Sequence, residues 1–351
     1  MRIGILTFHR GPNYGGFLQA WHLREAIHRL GHEVSIINYQ NPIHLKSEKP
    51  PPLRPTVSAV KGSIWVWLKS RPFSKHVNSL ASPPLFTDAA EVQWNGYDTI
   101  VVGSDVIWDF QAPQFGHDPV YFGSHLAQFG TRFISYAASA GTTPHTADLP
   151  DYVCSGLSRF ASINVRDHNT AQIVETVTGS SPKIVADPTW LGDDPLPDWN
   201  GIPKTPYILV YGLGLDAQRA AELRKWAHTR SLAIISAATP GNWADRTFRQ
   251  LDPWHWVCLF KHAQAVVTST LHGSHYAIKY KRPMLFMDRP ASSLKSRTAI
   301  ERAGMADVVL SQYTRLDADF LEYCLASEET PGVPIDWQQE SLRLLENDLA
   351  D

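Results

Sequence analysis

Between Thr268 and Pro283 the chain reads TSTLHGSHYAIKYKRP: an apolar run ends, a His-Gly pair follows, and a stretch with three cations begins. Ala263–Thr270 has the β-branched content of a strand and Ser274–Lys281 the composition of a helix, so Leu271, His272 and Gly273 stand at a strand-to-helix turn. Such a turn gathers unpaired backbone N–H groups at the positive end of a helix dipole, which favours an anion. Gly273 lets a ligand approach the backbone, and His272 can donate to a phosphate or move a proton near neutral pH. A plain structural reading stays open, in which Gly273 turns the chain and His272 caps core.

Other polar groups close strand-like runs. Asp105 ends TIVVGSD (Thr99–Asp105), Arg166 lies at the end of ASINVRD (Ala161–Asp167), and Asn13, Gly15 and Gly16 belong to HRGPNYGG (His9–Gly16), a Gly-rich turn after the first strand. Each has a structural alternative: Asp105 as a helix N-cap, Arg166 paired with Asp167 or Asp187, NYGG as a simple turn. His272 and His275 are three apart, but no acidic or cysteine ligand sits at a metalloenzyme spacing, so neither a metal nor another cofactor is expected. Asp317 and Asp319 fall in a polar region and read as solvated surface. Without a nucleophile elbow, no Ser-His-Asp triad is assigned.

The elements that must hold these groups alternate. RIGILTF (Arg2–Phe8) is a strand; Phe17, Ala20, Leu23, Ile27 and Leu30 mark one helical face, stopped at Gly31; EVSIINY (Glu33–Tyr39) is the next strand. This βαβ unit requires a parallel sheet whose strand ends face a ligand crevice. After the proline-dense KSEKPPPLRP (Lys46–Pro55) comes Val57–Lys69, apolar and Trp-containing, read as a core or interdomain helix, with an interfacial helix touching a membrane as the sharper alternative. Strands return at Thr99–Asp105, Arg132–Ser139, Ala161–Asp167 and Lys183–Pro188. A second block places strands at Tyr207–Leu213, Leu232–Ala238, Ala263–Thr270 and Met284–Asp288, and helices at Ala217–Thr229, Pro253–His262 and Ser274–Lys281. The expected organisation is α/β: a first domain over 1–191, a linker over 192–206 rich in Pro, Gly and Asp, and a second domain over 207–351 ending in a helical tail. Two doubly wound domains imply a cleft between them.

Composition agrees with an enzyme-like globular chain. Its 351 residues are 43% hydrophobic and 19% charged, enough for two cores. A net charge of −2 with scattered basic residues argues against nucleic acid as a partner. Cys154, Cys258 and Cys324 match no CxxC spacing and read as reduced, buried thiols. The apolar start is too short for a signal peptide, so a cytoplasmic location is expected, with the inner face of a membrane as the variant that Val57–Lys69 opens. Nothing in the sequence specifies an oligomeric state.

Seven segments in order resemble the signatures of the polysaccharide pyruvyl transferase family: ILTFHRGPNYGGFLQAWHLREAI, VVGSDVIWDFQ, FISYAASAG, INVRDHN, VADPTWL, VVTSTLHGSHYAIKYKRPMLF and SLKSRTAIERAG. The resemblance runs from about residue 1 to about residue 310. It implies a GT-B-like fold of two Rossmann-like domains, the first on the acceptor side and the second on the donor side. It also implies transfer of a pyruvyl group from phosphoenolpyruvate to hydroxyls of a glycan or lipid-linked sugar. By motif, phosphoenolpyruvate contacts fall on Arg166, Leu271 and His272, with the Gly273 turn on the phosphate. Some members carry arginine where this chain has Thr270; Arg297, Lys279 and Lys281 are the candidate replacements, Arg297 first because the resemblance includes it. Asp105 is then a candidate base, and Asn13, Gly15 and Gly16 the acceptor loop. Trp65, Trp67, Trp94 and Trp108 are candidates to stack on sugars, against the plain reading of core tryptophans. Two other classes stay open: a GT-B-like glycosyltransferase using a nucleotide sugar, and a catalytically lapsed glycan-binding relative.

Overall fold

The computed structural model describes residues 1–47, 73–124, 130–212, 215–238 and 241–350. The Val57–Lys69 segment, with Trp65 and Trp67, lies outside them. The described residues divide into two compact units, one formed by those of 1–47, 74–192 and 335–350, the other by Phe73 and those of 193–334.

The first unit is a six-stranded parallel sheet in the order β2-β1-β3-β4-β5-β6: β1 Arg2–Leu6, β2 Glu33–Ile36, β3 Thr99–Val102, β4 Arg132–Ala138, β5 Ser162–Val165 and β6 Lys183–Ile184. Its helices include α1 (Tyr14–Arg29), α2 (Pro42–Ser47), α3 (Asp151–Leu157) and α4 (His168–Thr178). The central strands are continuous apolar runs because both faces are covered: Ile100, Val101 and Val102 are wholly buried. The order reverses between β1 and β3, and at such a switch point the strand ends open a crevice. Asn13 and Asp105 follow those two strands.

The second unit repeats the architecture with the order β12-β11-β10-β7-β8-β9: β7 Tyr207–Tyr211, β8 Ala233–Ala237, β9 Arg246–Phe248, β10 Ala265–Thr268, β11 Met284–Met287 and β12 Val309–Leu310. The helices are α5 (Ala217–Thr229), α6 (Pro253–His262), α7 (Leu271–Lys279), α8 (Pro290–Arg302) and α9 (Ala318–Leu325). Here the switch point falls between β7 and β10; Ser269 and Thr270 follow β10, and Leu271, His272 and Gly273 form the first turn of α7, which starts three residues before the expected Ser274. The short edge strands β9 and β12 carry too few residues for an alternating pattern, and the sequence reading missed them.

Aspartates start several helices by accepting a backbone N–H: Asp167 from Thr170 (2.8 Å), Asp216 from Arg219 (2.8 Å), Asp252 from His255 (2.9 Å) and Asp317 from Phe320 (2.9 Å). Asp317 and Asp319 are exposed, as the solvated-surface reading expects, and Asp317 also caps α9. The last helix, α10 (Ile335–Ala350), returns to the first unit, whereas the sequence reading kept it with the second. Its Trp337 indole donates to the Ile184 carbonyl (2.9 Å), and Ser341 Oγ accepts the Ala186 N–H (2.8 Å). Periodicity shows that Trp337, Leu345 and Leu349 need a surface to bury against, not which unit supplies it. Among the described residues no helix is long and apolar enough to cross a membrane.

Candidate functional site

At the switch point of the first sheet, Asn13 is the N-cap of α1, yet its side chain makes no capping bond and is exposed. Gly15 and Gly16 are in the first turn of that helix, which starts at Tyr14, three residues before the periodicity indicates. A Cβ on Gly16 would lie 3.3 Å from both Asp105 Oδ2 and Asn13 Nδ2. Glycine here is what lets a carboxylate and an amide converge on the helix start.

Asp105 is buried and holds φ at 84°, in the left-handed region that is uncommon for residues other than glycine. Its Oδ1 accepts the Val106 N–H (2.8 Å) and its carbonyl accepts the Ser139 N–H (3.0 Å) from the end of β4. No helix begins there, so the capping alternative fails. Strained residues of this kind gather at active sites, where surrounding contacts over-determine them.

Two histidines that the sequence reading did not select join this edge. The His9 ring is buried with Nδ1 2.9 Å from the Thr7 carbonyl and Nε2 3.1 Å from Asn38 Oδ1. Asn38 is oriented by donating from Nδ2 to the Ser82 and Pro84 carbonyls, both at 2.9 Å, so the ring faces two acceptors and a neutral imidazole can donate to only one. Burial pushes the His9 pKa down, against both hydrogen bonds. His44, on α2, packs against Phe8 (ring centroids 4.2 Å) and Phe115 (5.1 Å). Burial pushes its pKa down to about 4, opposed by the Asp105 carboxylate and reinforced by His9. It is neutral at pH 7. Neither histidine has a spacing that would have announced it.

Arg166 follows β5, its N–H donating to the Ala138 carbonyl (3.2 Å). Its side chain is 2% exposed and Nη1 donates to Asp187 Oδ2 at 2.9 Å. Nε and Nη2 are buried without a hydrogen-bond partner. Asp167 is occupied otherwise, accepting the Thr170 N–H and hydroxyl and the Ser139 hydroxyl. The ion pair is thus with Asp187 alone of the two candidates. It leaves one edge of the guanidinium fork uncommitted, the geometry that takes a carboxylate or phosphate through two parallel bonds.

In the second unit, Thr270 is the N-cap of α7, its Oγ1 accepting the Gly273 N–H at 3.1 Å. The residue that replaces an arginine therefore has a structural task. The Gly273 amide, expected to face a phosphate, is engaged within the protein. A Cβ on Gly273 would stand 2.0 Å from Thr268 Oγ1 and 2.7 Å from Thr270 Oγ1, so close packing alone demands glycine. Leu271 is buried, His272 half-buried, and the His272 ring lies 5.6 Å from that of the fully buried His275.

The candidate replacement cations differ in commitment. Lys279 reaches the buried carboxylate of Asp194 at 2.8 Å, which also accepts the Tyr280 hydroxyl (2.6 Å) and the Tyr276 hydroxyl (3.3 Å). Lys281 follows α7 with φ 52°. Arg297, on α8, is half exposed, pairs with Asp288 (2.7 Å) and donates from Nε to Ser293 Oγ (3.0 Å). Trp94 and Trp108 are core residues whose indoles donate to the carbonyls of Ala89 and Tyr121, so they do not present a face to sugar.

The family model described as polysaccharide pyruvyl transferase matches residues 13–290, a span that takes in Asn13, Asp105, Arg166 and His272. The chain belongs to the polysaccharide pyruvyl transferase family. Arg297 lies beyond the matched span of this pyruvyl transferase family member. No curated protein matches it. Among solved structures it is similar to the UDP-GlcNAc 2-epimerase of Methanocaldococcus jannaschii, at 10% identity and TM-score 0.55 over 99% of this chain and 100% of that one. It is likewise similar to the UDP-GlcNAc 2-epimerase of Neisseria meningitidis bound to UDP-GlcNAc, at 9% identity and TM-score 0.53 over the whole of both chains. At these identities the likeness shows the fold, α/β with two Rossmann-like, GT-B-like units.

Proposed function

We propose that the protein transfers a pyruvyl group from phosphoenolpyruvate to hydroxyls of a sugar in a polysaccharide or glycolipid intermediate, forming a pyruvate ketal. The observation that carries the reading is Arg166: a buried guanidinium, anchored through Nη1, with Nε and Nη2 left for an anion. Phosphoenolpyruvate supplies both a carboxylate and a phosphate for such a fork. In the reaction the methylene carbon takes a proton, the adjacent enol carbon bonds to an acceptor oxygen, and a second hydroxyl displaces phosphate to close the ketal. Asp105 is assigned as the base that takes the acceptor proton, with Asn13 and the Gly15-Gly16 turn orienting the sugar. His272 is assigned to phosphate binding or proton donation, Leu271 to the wall beside it and Arg297 to the donor's charge.

Family membership supports the transferase class. The fold it shares with UDP-GlcNAc 2-epimerases supports a second reading, a GT-B-like glycosyltransferase whose donor is a nucleotide sugar. A thermal-shift titration separates them: phosphoenolpyruvate should raise the melting temperature saturably, and UDP-GlcNAc, UDP and GDP should not. Phosphate release from phosphoenolpyruvate in the presence of glycan acceptors should then require Arg166 and His272. Stabilisation by a nucleotide alone would replace the pyruvyl reading with the glycosyl one.

A further inference from the structure

The side chain of Gln19, on the second turn of α1, is wholly buried, and every polar atom on it is used. Its Nε2 faces Thr7 Oγ1 (3.2 Å), the Phe8 carbonyl (3.2 Å) and the Gly16 carbonyl (2.9 Å). The Thr7 hydroxyl in turn donates to the Ser104 carbonyl at 2.7 Å, and the Ser104 hydroxyl donates back to Gln19 Oε1. The result is a closed circuit in which each donor direction is fixed: amide to threonine, threonine to the peptide before Asp105, serine to amide. It joins the exit of β1, the first turn of α1 and the Gly103–Asp105 turn.

From this we infer that Gln19 is a positioning residue: it holds the Asp105 carboxylate at the Gly16 turn by gripping Ser104 through both its carbonyl and its hydroxyl. The Asp105 backbone has φ 84°, a conformation that needs outside restraint, and the circuit supplies it from the peptide immediately upstream. Only an amide serves. Glutamate cannot donate when ionised, and a hydrocarbon of equal length takes away the acceptor of the Ser104 hydroxyl and the amide donor shared by the Thr7 hydroxyl and the Phe8 carbonyl. The catalytic weight of this device rests on the reading of Asp105 as the base; the positioning itself does not.

The test uses the full-length protein labelled with 13C at aspartate carboxyls. The Asp105 resonance is identified by its loss in Asp105→Asn. In Gln19→Met, and in the milder Ser104→Ala, that resonance should move while that of Asp317, the cap of α9 in the second unit, stays. Exchange of the Val106 and Ser139 amides, which bond to Asp105, should accelerate about tenfold in both variants, with α3 unchanged. An unmoved Asp105 resonance in either folded variant overturns the inference, as does a shift spread evenly over all aspartates, which marks Gln19 as general core. The base assignment is judged separately, by turnover in Asp105→Asn.

Discussion

Arg166→Lys is the most informative single change, because it separates the two tasks of the guanidinium. A lysine ammonium can still pair with Asp187, so the buried carboxylate is not stranded. What it loses is the fork edge formed by Nε and Nη2, two donors buried without partners at about 1–3 kcal/mol each in the unliganded protein. Free-state stability should therefore hold or rise slightly. Donor binding should weaken, since one charge-assisted bond contributes about 1.5–3 kcal/mol and each ~1.4 kcal/mol is tenfold, a loss of roughly 10- to 100-fold in Kd. At a phosphoenolpyruvate concentration 100 times the parent Kd, ligand stabilisation of about 2.7 kcal/mol should drop to about 0.4–1.4 kcal/mol. Differential scanning calorimetry with and without phosphoenolpyruvate reads both quantities, with inorganic phosphate as a control for simple anion binding. Arg166→Met gives the contrast: it removes the buried ion pair with Asp187 and should lower stability by about 3–5 kcal/mol without ligand. If Arg166→Lys responds to phosphoenolpyruvate as the parent does, the open fork is not the donor site.

Four further outcomes follow from the geometry. Gly273→Ala should cost roughly 1–3 kcal/mol in urea denaturation, because its Cβ would fall 2.0 Å from Thr268 Oγ1; adding Thr268→Ala should recover part of that, and strict additivity would show the clash is not the cause. Thr270→Ala should lose about 1 kcal/mol through the cap, and Thr270→Arg the same stability while tightening anion binding; an unchanged urea midpoint in Thr270→Ala would refute the cap. His44, folded at about 4 against 6.5 unfolded, binds fewer protons in the native state, so stability should rise with pH through this window and fall on acidification by about 3 kcal/mol; His44→Gln should flatten the urea-midpoint profile between pH 4 and 6.5, and an unaltered slope would count against the burial argument. Burial pushes the Cys258 thiol up to about 11 and Cys324 to about 12, so at pH 8 a thiol reagent should modify half-buried Cys154 first; equal rates for all three in the native protein would contradict this.

Much of this fold was legible because parallel strands buried on both faces carry their own signature, as VVG before Ser104 and AVVT before Ser269 do. The strand ends were legible for the same reason, so pattern could place Asp105, Arg166 and His272 there, while their choice as site residues drew on the family resemblance. His9, His44 and Gln19 were not, since each depends on a partner brought in by topology rather than by spacing. Thr270 shows another limit: against a family pattern it reads as a missing cation, and only the Gly273 N–H at its hydroxyl reveals what it contributes. The destination of α10 was equally hidden, because an apolar helical stripe names no partner.

That helix also bears on how the protein is made. Because α10 fills a place beside β6 in the first unit, the ribosome must finish the entire second unit before the first can be completed. Until then the Ile184 carbonyl and the Ala186 N–H lack the groups that satisfy them in the finished molecule. Vectorial synthesis would otherwise let the leading unit fold first and independently. Here the first unit must wait for α10, and a fragment ending at residue 192 would hold all six strands yet lack the helix that covers the β6 edge.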